Sequence, residues 1–216
     1  MDVSPLIITL QAAVVSTTAT FFVGLVLAHH VAFAKRWQAL WDTVLTLPLI
    51  LPPTVTGFFL LRLFAQQGVL GQGLARLGLS VVFSFWGIVV ASAVVSLPLM
   101  YRTVRGGFEQ LDVTVLQAAA TLGLSPRRIF WTIQVPMAKN SIVGGSILAF
   151  ARAMGEFGAT MMLAGNVPGR TQTMSVAVFT AVNAGNFQLA YLWSSILSLL
   201  SLVAMSVMNH LTKERC

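Results

Sequence analysis

Arg152 and Glu156 stand four residues apart in an otherwise apolar stretch, so a helix there would place them on one face. An ionisable residue at membrane depth normally faces a bundle interior or a wet cavity. Two readings stand: a neutralising pair that fixes helix packing, or charges beside an ion route or gate. A second group is Pro48, Pro52 and Pro53 in Leu47-Pro48-Leu49-Ile50-Leu51-Pro52-Pro53. Proline removes backbone donors, which inside an apolar helix is tolerated where the freed carbonyls find partners or line a cavity. Simple curvature and a pathway-lining break are the alternatives. Asn166, in Gly165-Asn166-Val167-Pro168-Gly169, is a further gate candidate. Other chemistries lack their residues. No Gly-rich phosphate loop ends in Lys-Ser or Lys-Thr, so the chain is not expected to hydrolyse ATP. His29, His30 and His210 lack ligand spacing and read as interfacial residues. Cys216 is a lone cysteine, which permits neither an internal disulfide nor a cysteine metal cluster. No catalytic residue, cofactor or metal site is expected.

The elements that must hold these residues are membrane helices. Of 216 residues, 56% are hydrophobic and 9% charged, against roughly 25% charged in a soluble domain. Mean hydropathy is +0.84. A soluble chain of this length could not cover so much apolar surface, which excludes a soluble enzyme and a disordered chain. Five apolar runs occupy residues 6–28, 43–65, 81–100, 141–163 and 189–211. Each is about 30 Å long as a helix, the thickness of a bilayer core. None alternates as a barrel strand would. The expected fold is all-α, a polytopic membrane protein with five spans and one transmembrane domain over residues 1–216.

Flanking charge sets the orientation. Lys35, Arg36, Arg102, Arg105, Arg127, Arg128, Lys139, Lys213 and Arg215 fall on one side, and only Arg76 and Arg170 on the other. Nine against two places the N-terminus outside and the C-terminus in the cytoplasm. The same distribution accounts for the net charge of +7 without nucleic acid. A cleaved leader is not expected, because Met1-Asp2-Val3-Ser4-Pro5 offers no positive start. Trp37, Trp41, Tyr101, Trp131, Tyr191 and Trp193 read as interfacial anchors, and Arg62 as a snorkelling one. Ser141, Gly145, Ala149 and Ala153 form a small-residue stripe that permits close helix approach, in this chain or with a second copy. The apolar stretch of residues 165–186 is either an external loop or re-entrant.

The cytoplasmic loop of residues 101–140 carries two helical patterns. Phe108, Leu111, Val115, Ala119 and Leu122 predict one helix, stopped by Gly123. Ser125-Pro126 then supplies a cap and a first-turn proline, predicting a second helix from Pro126 to about Gln134, ended before Pro136. Its Arg127 and Arg128 are expected to point outward, beside an apolar stripe of Ile129, Phe130 and Ile133. Two readings fit: a surface helix on lipid headgroups, or a plug inserted into a cytoplasmic partner.

Gln117-Ala118-Ala119-x-x-x-Gly123 followed by Ile133-x-x-Pro136 resembles the EAA loop of ABC-importer permeases, with Gln117 where that motif has glutamate. Gln117 keeps hydrogen bonding and loses the charge. Residues 150–160 with 165–169, and residues 47–53, are similar to the molybdate branch of that family; the sulfate permeases share much of the pattern. The resemblance covers nearly the whole chain and implies a type I importer fold in the inner membrane. It implies that Gln117, Ala118, Ala119, Gly123, Ser125, Pro126, Arg127, Arg128, Ile133 and Pro136 couple to an ATPase. It also implies a homodimer, an ATPase dimer and an extracytoplasmic molybdate-binding protein. A sulfate or tungstate permease is the alternative within transport, and an ATP-independent channel or scaffold the alternative outside it.

Overall fold

A computed structural model describes residues 2–34 and 36–213; Lys35, Arg215 and Cys216, which enter the charge and cysteine readings above, lie outside them. The chain forms α1 (Ser4–Ala32), α2 (Gln38–Ile50), α3 (Pro53–Phe64), α4 (Val69–Arg76), α5 (Phe85–Glu109) and α6 (Val113–Thr121). Then come α7 (Pro126–Ile129), a π turn (Phe130–Gln134), α8 (Val135–Met137), α9 (Lys139–Met154), α10 (Gly158–Ala164), α11 (Met174–Asn183) and α12 (Phe187–Lys213). Among the described residues no strand occurs.

Helices α1, α5 and α12 are long and apolar enough to cross a bilayer unaided. The other two expected spans are broken. α2 and α3 meet at 109°, and α9 and α10 at 60°, so the count is five when each bent pair is one span. The prolines foretold the first break. The second corrects the expectation of one continuous helix over residues 141–163: α9 ends at Met154, and Glu156 stands beyond its end.

The core is built by α1, α5 and α9, where Leu25, Ala28 and Val31 meet Met100, Tyr101, Val104, Phe108, Ile142 and Ala149. The small-residue stripe on α9 has its neighbour in the same chain. A Cβ on Gly145 would lie 3.1 Å from the Met100 sulfur, and one on Gly107 would lie 2.5 Å from Ser141. A second cluster joins Leu60 of α3, Ala91 and Val95 of α5, and Ala159 and Leu163 of α10. Large apolar side chains such as Phe22, Val26, Leu199, Leu202 and Val203 face outward from α1 and α12, which suits a lipid solvent. Two expected interfacial aromatics are core residues instead: Tyr101 is fully buried and Trp193 nearly so. A hydrogen bond to the Tyr101 hydroxyl from Arg105, at 3.2 Å, makes that burial tolerable. Within residues 165–186 lies a capped helix, α11, ten residues long and too short to span. Its Met174 N–H donates to Thr9 Oγ1 of α1 at 2.9 Å, which fixes it to the bundle.

Candidate functional site

At the first break the backbone leaves the helix at Leu51 and restarts at Pro53, which occupies the first turn of α3 where no N–H is needed. Pro48 sits half-buried inside α2, while Pro52, Pro53 and Thr54 lie exposed on the surface of the chain. The second break packs against this one. A Cβ on Gly158 would approach the Pro53 Cβ to 2.9 Å, and one on Gly57 would approach the Ala159 Cα to 2.7 Å. Only glycine permits that approach. Gly57 carried no signal in the sequence, since small residues are common in apolar runs, and Gly158 entered only within the 150–160 resemblance.

Glu156 and Arg152 pair as their spacing implied, at 2.7 Å, with the Glu156 side chain 1% exposed and that of Arg152 28% exposed. The other carboxylate oxygen of Glu156 accepts from the Ala159 N–H at 2.8 Å. Glu156 thus holds the start of α10 and the end of α9 together, a role possible only because it lies in the break. Asn166 is committed in the outer segment: its amide donates to Thr180 at 3.0 Å, and its carbonyl accepts from Gln172 at 2.9 Å.

The cytoplasmic end is organised by three local devices. The predicted first helix is interrupted at residues 110–112, because Asp112 starts a new one by accepting from the Thr114 N–H at 2.8 Å. Hydrogen bonds from the Thr114 hydroxyl and amide hold the Asp112 carboxyl below the usual carboxylate range. Phe108 consequently belongs to α5, while Val115 and Leu122 remain exposed on and just past α6. Gly123 adopts φ +80°, the left-handed residue that closes α6. Ser125 accepts from the Arg128 N–H at 3.4 Å and caps α7. Helical structure does not end before Pro136 as expected. The wider π turn over Phe130–Gln134 gives the Pro136 ring room that an α turn would deny it, and the chain runs on through α8 towards α9. Gln117, Ala118, Arg127, Arg128 and Pro136 are exposed, Ile133 is half-buried, and Ala119 is buried.

Two polar ties at this end were missed from the sequence. His29 Nε2 lies 2.9 Å from Oε1 of Gln134, a buried residue of the π turn, so α1 is bonded to the α7–α8 segment. The His29 ring also stacks edge-on against Phe130 at 4.7 Å and Phe108 at 5.6 Å. Arg105 pairs with Asp42 at 2.5 Å and with Glu109 at 2.8 Å, and Glu109 accepts from Gln38 at 3.1 Å, tying α2 to α5. The four-residue spacing of Arg105 and Glu109 was a legible signal for part of this. The His29 contact had no such signal.

Broken helices at membrane depth are a recurring way of building transport sites. The model of the binding-protein-dependent transport system inner membrane component matches residues 20–215. The chain belongs to that family. It is therefore a membrane-embedded permease component of a transport system. The molybdenum transport system permease protein ModB of Escherichia coli K12 is 40% identical over 184 residues, covering 82% of this chain and 80% of that one. ModB of Haemophilus influenzae is 37% identical over 212 residues, covering 94% and 91%. Among solved structures, a chain of the MetNI methionine ABC transporter in inward-facing conformations superposes with a TM-score of 0.78 at 14% identity, over 98% of this chain and 94% of that one. The fold is that of type I ABC-importer permeases.

Proposed function

We propose that this permease is the transmembrane subunit of an ABC importer carrying molybdate into the cytoplasm, driven by a separate ATPase. The observation that carries the coupling half of this reading is the α6–α7 surface. Two capped short helices meet at left-handed Gly123 and leave Val115, Gln117, Leu122 and Arg128 exposed. Helices this short are marginal in water alone, and a channel or scaffold would have no use for them. Their exposed apolar residues suit insertion into a partner. The cargo follows from the ModB relatives and from the scarcity of carboxylates in the spans, which suits a tetrahedral dianion.

The partners are an ATPase dimer, an extracytoplasmic molybdate-binding protein and a second copy of this chain. The second copy is supported by the exposed break at residues 52–54. Non-helical backbone at membrane depth is tolerated only where protein buries it or water fills a cavity. A second permease supplies both, with Pro48, Pro52, Pro53, Arg152 and Glu156 near the route and Asn166 bracing its outer side. The N-terminus lies outside and the C-terminus inside.

Reconstitution with the ATPase and the binding protein in lipid vesicles tests this reading. Labelled molybdate should accumulate only with ATP and binding protein together, and excess sulfate should not compete. Uptake without ATP would leave a channel. Equal competition by sulfate would make this a broader oxyanion permease.

A further inference from the structure

We infer that the groove between the cytoplasmic end of α1 and the α7–π-turn segment binds one anionic phospholipid of the inner leaflet. The open groove has a volume of about 270 Å³ and is lined by Val26, Pro126, Arg127, Phe130 and Trp131, with His29 and His30 beside them. Val26 and Trp131 are 54% and 63% exposed, although both are large and apolar. Val26 lies two residues inside the apolar run of residues 6–28, about 3 Å from its cytoplasmic end, on a membrane-crossing helix. The groove thus runs from the inner edge of the acyl-chain region out to headgroup level. Its rim carries the cation Arg127 and the imidazole His30, and among the described residues no carboxylate lines it. An apolar trough under a basic rim matches an acyl chain beneath a phosphate, whereas a protein partner's charged surface would find no use for the trough. The structure thereby separates two adjacent arginines: Arg127 lines the groove and Arg128 does not. Arg127 holds the lipid phosphate, and Arg128 is left for the cytoplasmic partner. This inference rests on the inward orientation of that end of α1 and is independent of cargo and of ATP.

The test uses the full-length permease in phosphatidylcholine vesicles containing a minor fraction of acyl-brominated lipid in both leaflets, which removes any dependence on orientation. Trp131 fluorescence is isolated as the difference between the wild-type protein and W131F. Brominated phosphatidylglycerol should quench Trp131 several-fold more than the same fraction of brominated phosphatidylcholine, since one cation near the surface enriches anionic lipid about fivefold. R127Q should reduce the two lipids to equal quenching, R127K should retain the preference, and R128Q should leave it unchanged. Equal quenching of the wild-type protein by both headgroups would overturn the site. So would absence of quenching, which means that protein fills the groove, or an R128Q effect as large as that of R127Q, which means a diffuse field. Should R127Q fail to insert, the headgroup preference of the wild-type protein decides alone. Loss of molybdate uptake with intact lipid preference would sink the transport reading and leave this one standing.

Discussion

Gly158 lies against Pro53, close enough that a Cβ on the glycine would stand 2.9 Å from the proline's Cβ. The restart of one broken span thus rests on the restart of the other. Any movement at the α2–α3 break must be felt at the α9–α10 break, because packed interiors do not deform continuously.

Replacement of Gly57 by alanine should therefore destabilise the permease by about 1–3 kcal/mol, the usual cost of overpacking. Its new Cβ would meet the Ala159 Cα at 2.7 Å, and backbone cannot swing aside. Gly144→Ala is the control: nothing lies within 4 Å of its Cβ position on α9. It should be neutral or stabilise by up to about 1 kcal/mol through helix propensity. Thermal unfolding in detergent compares the two, and equal melting temperatures would refute the close crossing.

Arg152→Ala should lower folded yield sharply, because it strands a carboxylate whose side chain is 1% exposed. Breaking a buried pair by removing one partner costs about 3–5 kcal/mol. Exchanging the charges, Arg152→Glu with Glu156→Arg, should not restore the yield. An arginine at position 156 cannot accept the Ala159 N–H that Glu156 now holds at 2.8 Å. Glu156→Gln keeps that acceptor and should fold better than Glu156→Ala. Normal yield in Arg152→Ala with uptake abolished would shift the pair from scaffold to pathway.

His29→Phe and Gln134→Leu should each cost more alone than the His29→Phe, Gln134→Leu double variant. Each single change leaves a partly or wholly buried polar group without its partner, at about 1–3 kcal/mol, whereas removing both can be nearly neutral. A double-mutant cycle on unfolding reads the coupling directly. Additive single effects would mean that the 2.9 Å contact contributes nothing.

Asp112 gives α6 a definite pH response. Its carboxyl is held below the usual range by Thr114, so the folded state binds its proton less readily than the unfolded chain. The cap's contribution is full above the ordinary carboxylate range and is lost as pH falls through the depressed value. Amide exchange of the first turn of α6 should stay slow, relative to its intrinsic rate, through mildly acidic conditions and accelerate only below them. Asp112→Asn should abolish that pH dependence while keeping most of the capping.

The number of spans was legible because hydropathy reports each segment's own composition, whichever neighbours it later meets. Gly123 and Ser125-Pro126 were legible because caps act over three or four residues. The break at residues 155–157 was not, since it is set by Glu156 reaching forward to Ala159 and by Gly158 meeting Pro53, which is remote in sequence. Tyr101 and Trp193 were misplaced for a related reason. An aromatic near the end of an apolar run suits an interface or a core equally well, and only the packing partner decides. The helical continuation past Pro136 depends on a π turn whose Phe130 and Gln134 are gripped by His29, one hundred residues upstream and more.

Gly123 has open space around its Cβ position, so a side chain there meets no clash; the strain comes from φ +80° alone. A β-branched residue tolerates that region poorly, so Gly123→Val should reorient α7 relative to α6 while the spans fold normally. Gly123→Asn tolerates left-handed angles and should be mild. Ser125→Ala removes the Arg128 N–H acceptor and should fray α7 by about 1 kcal/mol. Arg128→Glu leaves both helices intact and changes only the face offered to a partner. If α6 and α7 transmit force, Gly123→Val and Arg128→Glu should both reduce binding-protein-stimulated ATP turnover, with Gly123→Asn near wild type and Ser125→Ala between them. ATPase rate and co-purification of the ATPase subunit are read on the same reconstituted samples. Wild-type turnover in both Gly123→Val and Arg128→Glu would mean that the helix pair lies on the membrane surface and transmits nothing.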